Sequence, residues 1–196
     1  MLTFSTLLGV VAGVVQVFGY WTYNRKVQEG LIKEPNGTSW GLWGIGSLLA
    51  VFFLRDLTHD WVKEVLPALC SASAFILFAA YAKKKMLKRP DRLDYFTIAL
   101  DTAVVLYWFV SGEAGWSNLL LAIDTGVTFI PMVRDVWSDP SSEQPKPWKT
   151  WTIAYGIWTA AILLRLETPW ELFYPVSCFT LHGVVWYLSS KTTAKS

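Results

Sequence analysis

The feature that most constrains this chain is a series of seven apolar stretches that carry almost no charge. Four contain no Asp, Glu, Lys, Arg or His: 2–23, 35–54, 65–82 and 150–164. Three contain one such residue each: 95–112 with Asp101, 114–133 with Asp124, and 172–190 with His182. Crossing a hydrocarbon core of about 30 Å takes roughly 20 apolar residues in a helix. The pattern predicts an all-α integral membrane protein with seven transmembrane helices.

The low charge content excludes several classes of protein. Only 16% of the 196 residues are charged, whereas soluble domains average about 25%. With 53% hydrophobic residues and two cysteines, the chain is neither disordered nor a disulfide scaffold. A net charge of +2 is too small to indicate a nucleic acid as partner.

Positive residues concentrate on alternate connections between the stretches. Fourteen of the 17 Lys and Arg residues fall after stretches one, three, five and seven, and only Arg55, Lys63 and Arg165 fall on the other side. The positive-inside rule then predicts the N-terminus outside and the C-terminus in the cytoplasm. The compact loops favour a prokaryotic inner (plasma) membrane. Tryptophans near the stretch ends suit interfacial belts: Trp61, Trp116 and Trp170 outside, and Trp137, Trp148 and Trp186 inside.

The first three stretches resemble the last three. The matching pairs are Pro35 and Pro145, Leu54-Arg55 and Leu164-Arg165, and Pro67-x-x-Cys70 and Pro175-x-x-Cys178. All recur at offsets of 108–110 residues. We therefore expect a 3+1+3 parallel repeat: a first triple-helix bundle at 1–86, a linker helix at 87–113, and a second bundle with a short tail at 114–196. Transporters with parallel repeats bind substrate near the midplane, between the repeats.

Two segments carry a resemblance to a known group. The first runs from Gly19-Tyr20-Trp21-Thr22-Tyr23 to Lys33-Glu34-Pro35-Asn36-Gly37-Thr38-Ser39-Trp40-Gly41-Leu42-Trp43, and the second comprises Phe129–Asp135 followed by Asp139-Pro140. Together with the layout, they resemble the SWEET, SemiSWEET and PQ-loop group of small transporters. Nicotinamide riboside carriers of the PnuC type share the seven-helix plan. The literal Pro-Gln pair is absent, and Thr22 stands at the first proline position.

Ionisable groups inside the stretches are the strongest candidates for chemistry, because an Asp at a helix centre costs about 2.5–3.5 kcal/mol on insertion scales. We expect Asp124 to be a substrate or proton site, and the resemblance to PQ-loop transporters supports this; the alternative is a helix-packing hydrogen bond. His182 either donates to the substrate, forms a proton relay with Asp124 if the two side chains face each other, or packs. Asp101 is expected to pair with basic loop residues or cap a neighbouring helix.

Aromatic rings and hydroxyl groups provide further candidates for substrate binding, and Gly and Pro residues provide candidates for helix bends. Trp43 and Trp158 can stack on a flat ligand, and Ser73 and Ser177 can donate hydroxyls or hold helices together. Bends and gates are expected at Gly44, Pro67, Pro131 and Pro175. Cys70 and Cys178 are interpreted as small apolar fillers, so we predict no metal site.

The predicted function is movement of a small polar metabolite, a sugar or a vitamin-like nucleoside, by alternating access, with proton coupling through Asp124 as one version. The alternative is a membrane receptor or interaction protein on the same scaffold, as in KDEL receptors, without net transport. The H-E-x-x-H motif is absent and the seventh stretch, 172–190, contains no Lys for a Schiff base, so neither an enzyme nor a cofactor is expected. The expected partners are a small-molecule substrate and the lipid bilayer. The sequence does not decide whether the chain forms a homo-oligomer.

Overall fold

The computed structural model describes residues 3–32, 35–90 and 92–191. Within them the chain forms seven α-helices, in agreement with the number of predicted stretches. They are α1 (Phe4–Gln28), α2 (Gly37–Thr58), α3 (Trp61–Lys83), α4 (Arg92–Ser111), α5 (Ala114–Ser138), α6 (Pro145–Leu163) and α7 (Phe173–Ser189). Short 3₁₀ turns, Pro140–Ser142 and Pro169–Leu172, precede α6 and α7. The predicted start of the first span at Leu2, the motif residues Lys33 and Glu34, and Lys195 in the tail lie outside the described residues.

Helix ends follow local side-chain chemistry. The Asn36 side chain accepts a hydrogen bond from the backbone N–H of Ser39 at 2.9 Å, and Asp60 does the same for Val62 at 3.1 Å. These bonds satisfy free N–H groups at the starts of α2 and α3. Pro145 begins α6, where its missing N–H costs nothing. Helix α6 therefore starts five residues before the charge-free stretch at 150–164.

Four helices, α1 to α4, are long and apolar enough to cross a membrane. The distribution of side chains agrees with an apolar surrounding. Phe109 and Val110 are 73% and 88% exposed, whereas Gln16 and Asn118 are at most 1% exposed. Apolar side chains face outward and polar ones inward, which fits a transmembrane protein.

Apart from α4, the helices form two groups of three, α1–α3 and α5–α7. Helix α3 contacts α1 and α2, and α7 contacts α5 and α6. Between these two groups, α1 packs on α6 and α2 packs on α5. Helix α4 lies against α5 and α2, at the outside of the assembly. Six helices thus surround a common centre, and α4 supports them from one side.

Candidate functional site

A small cavity lies at the centre of the six helices, at mid-helix depth, and its volume is about 20 Å³. Three residues predicted for the substrate site line it: Trp43 from α2, Asp124 from α5 and His182 from α7. A cavity of this volume holds about one water molecule. The conformation described here is therefore closed, and a metabolite would enter the centre only after the helices separate.

Cys70 on α3 is the centre of a hydrogen-bond cluster at this cavity. Its Sγ lies 3.0 Å from the Tyr20 hydroxyl, 3.1 Å from the Ser47 hydroxyl and 3.3 Å from the Gln16 amide nitrogen. Ser47 also lies 3.2 Å from the hydroxyl of Tyr174 on α7. The expectation that Cys70 only fills apolar space is therefore wrong, because its thiol links α1, α2 and α3.

Several polar atoms at the cavity have no hydrogen-bond partner within the described part of the chain. They are Asp124 Oδ1, Trp43 Nε1 and Gln16 Oε1. Leaving a buried polar group unpaired costs roughly 1–3 kcal/mol. On the lining, the acceptor Asp124 Oδ1 and the donor Trp43 Nε1 are therefore available for a polar ligand. Gln16 does not line the cavity but bonds to Cys70, which does.

Asp124 meets a second carboxyl group, that of Asp101 on α4. The two side chains are 2% and 4% exposed and lie within hydrogen-bonding reach of each other. The expectation that Asp101 pairs with basic loop residues is therefore wrong. Asp101 lies eleven residues before Gly112 and Asp124 eleven residues after Glu113, so the α4–α5 hairpin places them opposite each other. This symmetry about the turn is a sequence signal that could have identified the pair.

His182 is held by its own helix and enclosed by rings. Its Nδ1 lies 2.7 Å from the backbone carbonyl of Cys178, which can only accept a hydrogen bond. Nδ1 therefore carries the proton, and in the neutral imidazole Nε2 is an acceptor. The rings of Tyr155 and Phe129 lie 4.7 Å and 5.1 Å from the imidazole, between centroids. In the described residues no hydrogen bond joins His182 to Asp124, so the expected relay between them is not formed in this conformation.

Four indole rings pack against one another beside the cavity, and Trp43 is the one that lines it. We call them the tryptophan cluster: Trp40, Trp43, Trp148 and Trp151. Ring centroids of Trp40 and Trp43 are 5.6 Å apart, and those of Trp148 and Trp151 are 5.1 Å apart. Trp43 meets Trp148 at 6.0 Å, and Trp40 meets Trp151 at 6.2 Å. The two W-x-x-W pairs lie 108 residues apart, the offset that separates Cys70 from Cys178. Trp148 is fully buried, so its predicted place in an interfacial belt is wrong.

Glu143 lies just beyond the tryptophan cluster, in the connection before α6. Its carboxylate accepts hydrogen bonds from Trp148 Nε1 at 2.9 Å and from the Tyr23 hydroxyl at 3.2 Å. Burial raises the pKa of Glu143 to about 7, although the bonds from Trp148 and Tyr23 act to lower it. The group therefore changes charge near neutral pH at the closed end of the cavity.

A buried ion pair lies near the start of α3 and just before α7, at the opposite helix ends from the tryptophan cluster. Lys63 Nζ lies 2.7 Å from Glu171 Oε2 and 2.9 Å from Glu167 Oε1, and the side chains of Lys63 and Glu171 are fully buried. Nearby, the Arg165 guanidinium pairs with Asp60 and donates to the Ser5 hydroxyl at 3.0 Å. These bonds tie the start of α3 to the segment between α6 and α7 and to the start of α1.

The remaining predicted site residues lie away from the cavity lining. Trp158 is fully buried, and its Nε1 donates to the Lys63 carbonyl at 3.0 Å, so it supports the ion pair. Ser73 and Ser177 are half-buried and do not line the cavity. On the same helix as Ser73, the Ser71 hydroxyl donates to the Gly44 carbonyl of α2 at 2.8 Å.

The predicted helix breakers occupy three different situations. Pro67 and Pro131 lie inside α3 and α5, where each removes one intrahelical bond. Pro175 lies in the first turn of α7, where no such bond is lost. Gly44 allows α2 to approach α3, because a Cβ there would lie 2.9 Å from the Phe75 ring. The structure therefore gives Gly44 a packing role and Pro175 the role of a helix start.

Comparison of the chain with protein-family models, with curated proteins and with solved structures finds no match. The chemistry of the site is therefore argued from its own geometry.

Proposed function

We propose that this protein is an integral membrane transporter that moves a small polar metabolite, a sugar or a vitamin-like nucleoside, by alternating access. The observation that carries the proposal is the central cavity, which has the tryptophan cluster toward one end of the helices and the buried Lys63–Glu171 pair toward the other. In this proposal the two groups are the closures of the cavity. A carrier needs a binding centre with a separate closure on each side. Opening one closure at a time would expose the centre to one face of the membrane.

Helix packing supports the 3+1+3 repeat in this proposal. If α1, α2 and α3 correspond to α5, α6 and α7, then the contacts of α3 with α1 and α2 match those of α7 with α5 and α6. The contact of α1 with α6 then matches that of α5 with α2. A rocking motion of two such triplets would separate the helices around the cavity, with α4 as the linker. Seven spans, an outside N-terminus and a prokaryotic inner membrane complete the proposal, as in SWEET and PQ-loop transporters.

The lining restricts the class of substrate. No Lys or Arg is among the residues described around the cavity, and Asp124 is its acidic group. An anionic metabolite would find no counter-charge there, so we expect a neutral or cationic one. The rings of Trp43, Phe129 and Tyr155 offer faces for a flat or sugar-like ligand, and Trp43 Nε1 and Gln16 Oε1 can replace part of its hydration.

A ligand screen tests this function. Protein purified in detergent is heated at two pH values with sugars, nicotinamide riboside, thiamine or amino acids. A compound that binds the folded state raises Tm with concentration, and we expect its uptake into proteoliposomes. Asp124→Asn should change that uptake or its dependence on pH, whereas unchanged uptake at all pH values would contradict proton linkage. Saturable binding without any flux would contradict transport and favour the receptor alternative.

A further inference from the structure

We propose that Asp101 and Asp124 form one proton-binding site that spans α4 and α5 and holds a single shared proton while the cavity is closed. Its role in coupling transport to protons rests on the proposed function, but its occupancy by a proton does not. The inference gives the linker helix α4 a chemical task in addition to connecting the two triplets.

The surroundings of the pair provide little compensation for two negative charges. Asp101 and Asp124 are 96% and 98% buried as residues, and each carboxyl group has one oxygen, Oδ1, without a hydrogen-bond partner in the described residues. Two carboxylates in contact in such a place repel each other strongly. Keeping one proton between them replaces that repulsion with a hydrogen bond, and the proton then belongs to the pair.

Titratable groups on the neighbouring helices do not supply a positive charge either. Those that face the cavity are Tyr20 on α1, Cys70 on α3, Tyr155 on α6, and Tyr174, Cys178 and His182 on α7. Among the lining residues, α2 contributes none. His182 could become cationic, but its Nδ1 bonds to the Cys178 carbonyl and its ring is packed among aromatic groups. The shared proton is therefore the charge that balances the pair.

The location of the two Asp residues connects the shared proton with the cavity. Asp124 lines the cavity, while Asp101 reaches the same place from α4. When the helices separate and water enters, Asp124 becomes hydrated and its ionised form is no longer penalised by burial. Opening would therefore release the proton to whichever face of the membrane the cavity meets, and closing would take one up.

Infrared titration of the purified protein tests the site without any substrate. The absorbance of protonated carboxyl groups is recorded from pH 6 to pH 9, where ordinary surface Asp and Glu are ionised. All samples carry Glu143→Gln, because Glu143 also titrates near neutral pH. The samples compare the otherwise native protein with Asp101→Asn, Asp124→Asn and the double variant, and far-ultraviolet circular dichroism checks their helix content.

We expect one protonated carboxyl per chain at pH 7, assigned by its absence from the double variant. Each single Asn variant loses the like-charged neighbour, so its midpoint should fall by at least one pH unit, a tenfold weaker proton affinity. An otherwise native protein without that absorbance above pH 6, or single variants with unchanged midpoints, would overturn the proposal. Loss of the absorbance at pH 7 when sodium replaces choline would also overturn it, in favour of a metal-cation site.

The outcomes separate this inference from the proposed function. A shared proton in a protein that moves none of the screened metabolites would leave the proton site standing and count against transport. Measured transport by a protein whose pair holds no proton would leave transport standing and remove the site.

Discussion

Lys63 and Glu171 form an ion pair of 2.7 Å in which both side chains are fully buried. They lie 108 residues apart, as do Cys70 and Cys178, and the pair joins the start of α3 to the segment just before α7. Glu171 is held in place by its own segment, because Oε1 accepts from the backbone N–H groups of Glu167 and Thr168 at 3.0 Å and 2.7 Å. The Glu171 carboxylate is therefore pre-arranged for Lys63, and in the proposed transporter this pair is the closure on its side of the cavity.

Removing the lysine alone should strongly destabilise the closed protein. Lys63→Met leaves a buried carboxylate without its counter-charge, which costs about 3–5 kcal/mol when a buried pair is broken. The double variant Lys63→Met/Glu171→Gln should regain part of this loss, because the amide oxygen of Gln still accepts the two backbone bonds. Thermal denaturation of four proteins, the unmodified one, the two single variants Lys63→Met and Glu171→Gln, and the double variant, measures the coupling.

The exposed pair of Lys26 and Glu29, at 2.8 Å, provides the control, since Glu29→Gln should change Tm little. A Lys63→Met protein as stable as the unmodified one would contradict the assignment of this pair as a closure.

Two tryptophans predicted for the substrate site, Trp43 and Trp158, should have different effects when each is replaced by Phe. Trp43→Phe removes an indole N–H that has no partner in the described structure, so Tm should stay level while ligand binding weakens. Trp158→Phe removes the 3.0 Å bond to the Lys63 carbonyl, which should lower stability by about 1 kcal/mol or more. Melting curves with and without a binding metabolite measure both effects. Equal losses of Tm in the two variants would contradict the division between ligand site and support.

Gly19 should be essential for the contact between α1 and α6. A Cβ at Gly19 would overlap the Trp151 indole, so Gly19→Ala must displace a ring of the tryptophan cluster and should lower Tm markedly. Gly126 in α5 has space for a Cβ atom. Gly126→Ala should therefore leave Tm equal or raise it, because Ala is more favourable than Gly inside a helix by about 1 kcal/mol. If Gly19→Ala and Gly126→Ala have the same Tm, the close packing of α1 on α6 is not as described.

Glu143 should make stability fall as pH rises. Burial raises its pKa from about 4.5 to about 7, so the folded state binds a proton more tightly than the unfolded state. The stabilisation is complete below pH 4.5 and is lost as pH rises toward 7. Tm should therefore decrease between pH 5 and 8, and Glu143→Gln should flatten this slope. Glu29→Gln is the control, because the Lys26 side chain holds the pKa of Glu29 below its ordinary value, outside this window. An unchanged slope in Glu143→Gln would contradict the prediction.

The positions of the helices along the chain could be predicted from sequence more readily than the orientation of each helix about its own axis. Long apolar stretches without charge predict where helices run, and the structure agrees on seven of them. Such helices are apolar on every face, so the pattern does not tell which residue faces the centre. The sequence predicts Ser73 as a site residue, but Ser71 makes the interhelical bond. It also predicts Trp158, but Trp40 and Trp151 are the rings that join Trp43 in the cluster.

Groups that need a partner were easier to identify than hydroxyls. Asp124 and His182 were found because an ionisable residue inside an apolar stretch must be satisfied by protein or water. Asp101 has the same property, yet its partner depends on how the α4–α5 hairpin closes, which a single stretch does not reveal. The bond cluster around Cys70 depends on four helices meeting, and no local pattern encodes it.

Access of Cys70 and Cys178 to a small thiol reagent tests the central claim most directly. Both cysteines are free, buried and line the cavity. A membrane-impermeant methanethiosulfonate is applied to one face or the other of proteoliposomes of known orientation, and Cys70→Ala and Cys178→Ala assign the label by mass. Alternating access predicts labelling from each face, faster from the Lys63 face in Lys63→Met and from the opposite face in Trp148→Ala. A folded protein that takes no label from either face, with or without these substitutions, would contradict a central site that opens to both sides.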